Sequence, residues 1–564
     1  MLFNQTSAQE QISLKQQADK LYDRYEYFKS LDLYLKLADR NKVNVKITER
    51  IADCYRNINQ YADAETWYAK ALTDAKADKT DHYYYAEVLL RNQKFDQARE
   101  QYKMFFVADT AGLSFKLAVC DSAGLWIKQP LRNKVTNFTD LNTQYSDWGL
   151  NYDGKTSFIF TSDRVADDNT DNRTGNNWFK LYRQDIKDNT VQQLSLSNET
   201  SDSFNGDYHI GPMALNKTAD TAYITVTTEI PKKDIEPDKP DGKNKQRLFT
   251  RRLQLFVAKK AYGQWRIVGS FPYNNIQKYS VSSAALSRDG RVIYFASDMQ
   301  GGEGKTDIWY CEKMPDGTWG KPVNCGSNIN TKEEEDFPYI SDDGSLYYAS
   351  KGLAGMGGYD IYKAKGQKDE WTTPENLKYP VNSTSDDFYL VTKDGLSGYL
   401  SSNREGGQGS DDIYSFSPDK SFIAPIKPVK TPDITRRTTT TPPDYALGYS
   451  LIIIYYDLDK YNIRPDAAVE LDKLAILLKQ YPTWKIELSS YTDSRASDSY
   501  NLTLSKERAV SAVDYLIAAG ISSNRLVYTG YGKTNPVNQC ADGVECTEAE
   551  HQLNRRTEFR LISK

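Results

Sequence analysis

Three histidines, His82, His209 and His551, are the only imidazoles in 564 residues, and they fall in three separate parts of the chain. Hydrolysis by a Ser-His-Asp or Cys-His set needs a histidine positioned beside its nucleophile, and this spread argues against that chemistry. Carboxylates are more plentiful, but Asp307, Asp360 and Asp412 recur at matching places in a repeat, as structural residues do. The acid and base of a glycosidase would be unique to their positions. No enzyme is expected. Asp167 to Asn176 and Asp457-Leu-Asp-Lys-Tyr-Asn462 offer oxygen ligands without the spacing of a calcium loop and its central glycine. Gly301-Gly-Glu-Gly304 lies between strand patterns rather than before a helix, so it is no phosphate loop. Asp493, in the turn Ser490-Tyr-Thr-Asp493, and Arg508, on a helix face shared with Asn501 and Leu504, are the remaining charged pair of interest. Taken alone they would be a surface ion pair worth ~0.2–1 kcal/mol.

Six cysteines are present. Cys540 and Cys546 flank the short Gly-containing loop Ala-Asp-Gly-Val-Glu, close enough for a local disulfide in an oxidising compartment, with free thiols as the alternative. Cys311 and Cys325 form a weaker second candidate pair, and no C-x-x-C spacing supports zinc. No cofactor is expected. Lys and Arg total 72 against 76 Asp and Glu, a net charge of −4 that lacks the basic excess of a nucleic-acid binder. No run of residues reaches the ~18 apolar positions of a membrane-spanning helix. The opening Met-Leu-Phe-Asn-Gln-Thr-Ser-Ala, residues 1–8, reads either as the tail of a secretory signal or as a plain disordered end.

These side chains need elements to hold them, and a chain this long divides into several domains. A 34-residue period opens it: Ala18, Ala52 and Ala86 form one column, and Ser30, Ala64 and Ala98 a second. Tyr27, Tyr61 and Phe95 make a third, Tyr34, Tyr68 and Tyr102 a fourth. Small residues stand where paired helices touch and aromatics where pairs stack. A helix from Ser114 to Ala123 puts Cys120 in the next small-residue slot. Residues 9–124 resemble a tetratricopeptide array, which implies an all-α stack. That stack would either pack against its neighbour domain or offer a groove to a partner segment.

From Trp126 the pattern alternates with a strand period. Asp336-Phe-Pro-Tyr-Ile-Ser-Asp-Asp-Gly344, Leu346-Tyr-Tyr-Ala-Ser350 and Gly357-Gly-Tyr-Asp-Ile-Tyr362 recur as Ser287-Arg-Asp-Gly290, Ile293-Tyr-Phe-Ala-Ser297 and Asp307-Ile-Trp-Tyr310. They recur again as Asp394-Gly395, Tyr399-Leu-Ser-Ser402 and Asp412-Ile-Tyr414, with looser copies near Asp153-Gly154 and Pro212. Residues 125–417 thus resemble a five-bladed β-propeller of the PD40, WD40-like or TolB type. Trp126 to Asn142 is expected to supply the strand that closes the last blade on the first. A linker follows at 418–447, rich in proline and threonine.

Residues 448–564 alternate strands and helices. A strand Leu451 to Tyr455 precedes a helix that Pro465 opens, and strand Trp484 to Leu488 leads to the Thr-Asp turn. A second helix then carries Asn501-x-x-Leu504-Ser505-x-x-Arg508-Ala509, followed by strand Arg525 to Tyr528, Gly530-Tyr-Gly532 and Asn554-Arg-Arg. These residues resemble the OmpA-like peptidoglycan-binding family and imply an α/β domain. By that resemblance Asp493 and Arg508 grip the zwitterionic free end of diaminopimelate in the wall peptide. Asn501 orients the ligand or the helix start, Tyr456 and Asp457 line the pocket rim, and Thr492 and Arg555 support it. The family's usual Gly-His before Thr-Asp is replaced by Ser490-Tyr491, which keeps the charge pair but alters its surroundings.

The whole order resembles wall-anchored periplasmic proteins of Bacteroidetes, one of them associated with type IX secretion and gliding. It implies a multidomain adaptor in the Gram-negative periplasm. Peptidoglycan would be held at one end and an outer-membrane or periplasmic protein at the other, with a PorP-type β-barrel as one candidate. The alternative is a carbohydrate- or peptide-sensing propeller parked on the wall, and, behind it, a propeller glycosidase.

Overall fold

The computed structural model describes residues 13–40, 43–131, 133–154, 156–164, 170–198, 208–227, 239–240, 247–248, 251–419 and 450–563. The start at residues 1–8 lies outside them, as does all of the expected linker except its first two residues. Helices and sheets up to residue 420 form one compact unit, and the C-terminal residues form another.

Seven helices open the first unit: α1 (Leu14–Asp23), α2 (Tyr27–Asp39), α3 (Val45–Asn57), α4 (Tyr61–Ala71), α5 (Thr80–Arg91), α6 (Phe95–Phe105) and α7 (Thr110–Lys128). The 34-residue columns are its core: Ala18, Ala52, Ala86, Cys120, Ser30, Ala64 and Ala98 are wholly buried where helices cross. Tyr34, Tyr68 and Tyr102 are buried too, and each hydroxyl donates to an acid on the preceding helix, Asp19, Asp53 and Glu87. These acids share the 34-residue spacing, so every aromatic knob has a satisfied polar tip. Tyr25, Asn59 and Gln93, again in register, take left-handed conformations that turn one helix into the next.

The last helix runs through Trp126 to Lys128 rather than stopping at Ala123. The strand expected from Trp126 is therefore confined to Asn133–Asn137, and the boundary near residue 124 moves to the end of α7. Strand Asn133–Asn137 pairs antiparallel with Asp412–Pro418, near the end of the unit. Asn142 secures this closure by exchanging two hydrogen bonds with the Ile413 backbone. Asn330 does the same to Ile308 and Asn382 to Ile361.

Five sheets follow one another along the chain, antiparallel apart from the parallel edge strand Leu196–Asn198 of the second, and their innermost strands are Asp147–Asp153, Ile210–Leu215, Val281–Leu286, Glu335–Ile340 and Asp387–Thr392. Each innermost strand touches the next, and the fifth touches the first, so the five close a ring. Every one carries a bulge at the same point, with Gly149, Gly211, Ser283, Phe337 or Tyr389 at positive φ. There the backbone bonds to the neighbouring sheet: Gly149 N–H donates to Ser401 Oγ and Ser283 N–H to Thr225 Oγ1, each at 3.0 Å. Holding a phenylalanine and a tyrosine in this region costs on the order of 1 kcal/mol or more each, which only a repeated tertiary contact sustains. Asp307, Asp360 and Asp412 accept backbone N–H groups from the glycine-rich turn before their own strands. Cys311 and Cys325 are separate, buried thiols. Strand alternation turns Cys311 with Trp309 into one inter-sheet core, while Cys325 lies with Ile308 and Tyr310 in the next.

The helices pack against the sheets. Arg91 at the end of α5 pairs with Asp386 at 2.9 Å, and its carbonyl accepts from Thr384. Ser122 donates to Gly355 O, Phe28 N–H to Arg173 O and Leu131 N–H to Tyr379 O. Burial opposes both charges of the ion pair, but mutual attraction overrides it and holds the Asp386 carboxyl well below the usual carboxylate range. Arg91→Ala leaves Asp386 buried and unpaired, so the first unit should lose about 3 kcal/mol in urea unfolding and α1–α7 should become accessible to protease. Unchanged unfolding and proteolysis would show that the pair does not hold the two layers together.

Candidate functional site

The C-terminal unit is a four-stranded sheet, ordered Ser450–Tyr455, Arg556–Ser563, Lys485–Ser490 and Leu526–Gly530. Helices α8 (Pro465–Gln480) and α9 (Asp498–Ala518) pack on it through Leu471, Leu474, Leu478, Ala512 and Leu516. A short α10 (Glu548–Asn554) precedes the strand Arg556–Ser563. His551 is on this helix and buried.

Strand Lys485–Ser490 delivers the Thr-Asp turn to the N-terminal part of α9. Thr492 N–H donates to Gly532 O, and Gly532 N–H in turn donates to Ser505 Oγ on α9. Gly530 has to be glycine here, because a Cβ would stand 2.4 Å from the Lys506 backbone nitrogen. Ser497 caps α9 on the N–H of Tyr500, and Asn501 Nδ2 donates to Ala496 O, tying the turn to the helix.

Thr492, Asp493, Asn501, Leu504, Arg508 and Arg555 meet around a cavity of about 280 Å³, with Leu458, Asp459 and Tyr500 at its mouth. Asp493 and Arg508 do not pair with each other. Asp493 accepts from Arg555 at 2.9 Å and Arg495 at 2.7 Å. Both arginines also reach Glu548, which closes a four-member ring of alternating charge. Burial alone would raise the Asp493 pKa, but the bonds from Arg495 and Arg555 outweigh it and hold the carboxyl below its usual range.

Arg508 is different. Its side chain is fully buried. Nε donates to Lys460 O at 2.8 Å, Nη1 to Tyr491 O at 3.0 Å and Nη2 to Asp457 O at 3.1 Å. Among the described residues it has no ion-pair partner, and the Tyr456 ring lies 5.0 Å beneath it. Burial, helped by the nearby Arg555 charge, pulls its pKa down to about 10, which leaves it charged at neutral pH. Three neutral carbonyls orient the guanidinium without cancelling its charge, so the cavity is set to take an anion. Thr492 Oγ1, buried and without a partner among the described residues, faces the same need.

Tyr456 and Asp457 do not line the rim. Tyr456 is fully buried and donates its hydroxyl to Arg508 O, because strand alternation puts it on the core face with Ile454. Asp457 contributes its carbonyl, while its carboxylate reaches Arg464. Tyr491 supplies a carbonyl to Arg508, and its ring stacks on Tyr531 at 5.4 Å, away from the cavity. Arg495, Glu548 and the Asp459–Tyr500 contact carry no periodic signal: Arg495 and Asp459 lie in loops, and Glu548 and Tyr500 stand in the first turns of α10 and α9. Cys540 and Cys546 form a disulfide just before the capping box that starts α10 at Thr547.

The OmpA family model matches residues 455–549. The peptidoglycan-associated lipoprotein of Rhizobium meliloti (strain 1021) is 39% identical over 93 residues, which is 16% of this chain and 52% of that protein. Outer membrane porin F of Pseudomonas fluorescens is 35% identical over 105 residues, 19% of this chain and 31% of that protein. The chain spans about half the length of the lipoproteins it matches. The crystal structure of the peptidoglycan-associated lipoprotein from Burkholderia pseudomallei aligns with 28% identity over 20% of this chain and 89% of that one, with a TM-score of 0.18.

Asp493 contributes stability that is present above the unfolded carboxylate pKa near 3.9 and is lost as pH falls through its lower folded value. Asp493→Asn should therefore flatten part of the acid limb of a stability profile below about pH 4, and an unaltered limb would contradict the pairing. Arg555→Met leaves Asp493 with Arg495 as its one remaining ion-pair partner among the described residues, and losing the buried charge-assisted bond should cost about 2 kcal/mol in denaturant unfolding. The C-terminal unit is an OmpA-like α/β domain, carried on a chain whose N-terminal part is helical and whose middle is antiparallel sheet.

Proposed function

We propose that this protein is a non-covalent peptidoglycan anchor, and that its C-terminal domain grips the zwitterionic end of diaminopimelate with Arg508 and Asp493. The observation that carries the reading is the buried guanidinium of Arg508, charged and without a carboxylate partner among the described residues, in one cavity with Asp493. A carboxylate would pair with Arg508 and an ammonium with Asp493, while Asn501, Thr492 and Arg555 orient the ligand and its partners. Tyr456 and Asp457 act from beneath, through Arg508. The family match and the names of the relatives favour the same ligand.

The helical region is a tetratricopeptide array, and the ring of five sheets is a five-bladed β-propeller. Together they form the adaptor end, which tethers an outer-membrane or periplasmic partner to the wall. The resemblance to type IX secretion and gliding-associated proteins makes a PorP-type β-barrel one such partner. The site of action is the Gram-negative periplasm, in keeping with the Cys540–Cys546 disulfide. Among the described residues no helix is long and apolar enough to cross a membrane. The function is binding without catalysis: His82, His209 and His551 bond to or pack against separate structural surroundings, and Asp307, Asp360 and Asp412 are spent on their own turns. The sensing alternative is favoured by one feature, a cavity at an end of the sheet ring.

Purified sacculi should pull down the C-terminal domain, and Asp493→Ala or Arg508→Ala should weaken binding about 10- to 100-fold while the domain stays folded by circular dichroism. Equal sedimentation of all three proteins would overturn the assignment.

A further inference from the structure

The ring of innermost strands encloses a second cavity, of about 400 Å³, at the end where those strands run out into their turns. All five sheets contribute to it. The size falls within the range of small-ligand sites.

The five turns at this mouth are alike in construction. Each has a left-handed residue, Gly154, Ala219, Gly290, Gly344 or Gly395. Three places before it stands a small polar residue, Asn151, Asn216, Ser287, Ser341 or Thr392, as turn chemistry requires. The position between, two before the left-handed residue, obeys no such rule. It is Tyr152, Lys217, Arg288, Asp342 or Lys393, and all five line the cavity. The fold repeats the scaffold of the turn and varies this one side chain, in favour of cations, in a chain whose net charge is −4.

The three cations lack carboxylate partners among the described residues, although an acid stands in every one of these turns. Those acids are already engaged, four within their own blades and Asp153 partly by Lys260 of the next sheet. Asp289 accepts from Ser287 Oγ and Arg291 N–H, Asp343 from Ser341 Oγ and Ser345 N–H, and Asp394 from the N–H groups of Leu396 and Ser397. Asp220 is held by Asn216, Thr218 and Thr221, and Asp153 by Arg183 and Lys260. Arg288 reaches only the Asp342 carbonyl, at 3.0 Å, and Lys393 lies over the Tyr152 ring at 4.2 Å. Ala214, Ala284 and Ala285 line the same cavity, as do Tyr339 and Tyr389. Two residues at strained positive φ, Phe337 and Tyr389, also line it, and strain of this kind gathers at ligand sites.

We propose that this mouth is a binding site for an acidic peptide segment, which enters end-on with its carboxylates on Lys217, Arg288 and Lys393 and its apolar side chains against these alanines and tyrosines. A sugar fits the chemistry less well, because the groups that would read its hydroxyls are occupied: Asn216 with Thr218 and Asp220, Ser287 with Asp289, Ser341 with Asp343, and the Tyr339 hydroxyl with Thr392 O. Asp342 sets polarity within the mouth and disfavours a carboxylate on its side.

The test uses the full chain and fluorescence anisotropy. The probes are a labelled pool of acetylated octapeptides, each carrying several glutamates among neutral residues, the matched glutamine pool, and labelled oligoglucuronate. The glutamate pool should bind, more weakly as salt rises, and the glutamine pool should not. Lys217→Gln, Arg288→Gln and Lys393→Gln combined should weaken binding at least about tenfold with unchanged melting temperature, and Asp342→Asn should strengthen it. The proposal is overturned if neither pool binds, if both bind equally, if the triple variant binds as the native chain does, or if oligoglucuronate binds in preference to peptide.

Discussion

A buried guanidinium answered, among the described residues, by carbonyls alone is the constraint around which the C-terminal domain is arranged. Arg508 draws its three acceptors from the segment after strand Ser450–Tyr455 and from Tyr491, the residue that follows strand Lys485–Ser490. The geometry of α9 against two separate loops is therefore fixed by one side chain. A buried charge left without a counter-ion is costly, and the domain lowers that cost with oriented dipoles rather than with an acid. Asp493, in the same cavity, is bound instead by Arg495 and Arg555, which Glu548 also engages. Two opposite charges thus stand in one cavity with neither neutralising the other, which is what recognition of a zwitterion requires.

The first unit relies on a different economy. Its repeats satisfy the same local demand many times: a tyrosine hydroxyl on an acid in each helix pair, an asparagine clamped to an isoleucine backbone between sheets, a bulge bonded to its neighbour. Repetition makes the scaffold rigid and frees single positions for difference. The cations at the mouth of the ring and the Arg91–Asp386 pair between helices and sheets are such differences.

Much of this was legible in the sequence because burial imposes period. The 34-residue columns fall on the wholly buried helix contacts, and the aromatic repeats fall on the second and third strands of their sheets. The same rule would have removed two errors. Alternation from Ile454 puts Tyr456 inside, and alternation from Ile308 turns Cys311 away from the core that holds Cys325. What stayed hidden lies outside any period: Arg495 in a loop beside Asp493, Glu548 at the start of α10, and the carbonyls that hold Arg508 follow no pattern that a sequence displays. Trp126 stands where the alternating pattern begins, yet a helix already begun at Thr110 continues through it.

The account rests on Arg508 needing a carboxylate that the ligand brings. Calorimetric titration of the C-terminal domain with a wall stem peptide ending in meso-diaminopimelate, and with the same peptide ending in lysine, tests this directly. Lysine keeps the ammonium and lacks the carboxylate. The account predicts that the diaminopimelate peptide binds and the lysine peptide binds about 10- to 100-fold more weakly. Equal affinity for the two peptides would contradict it.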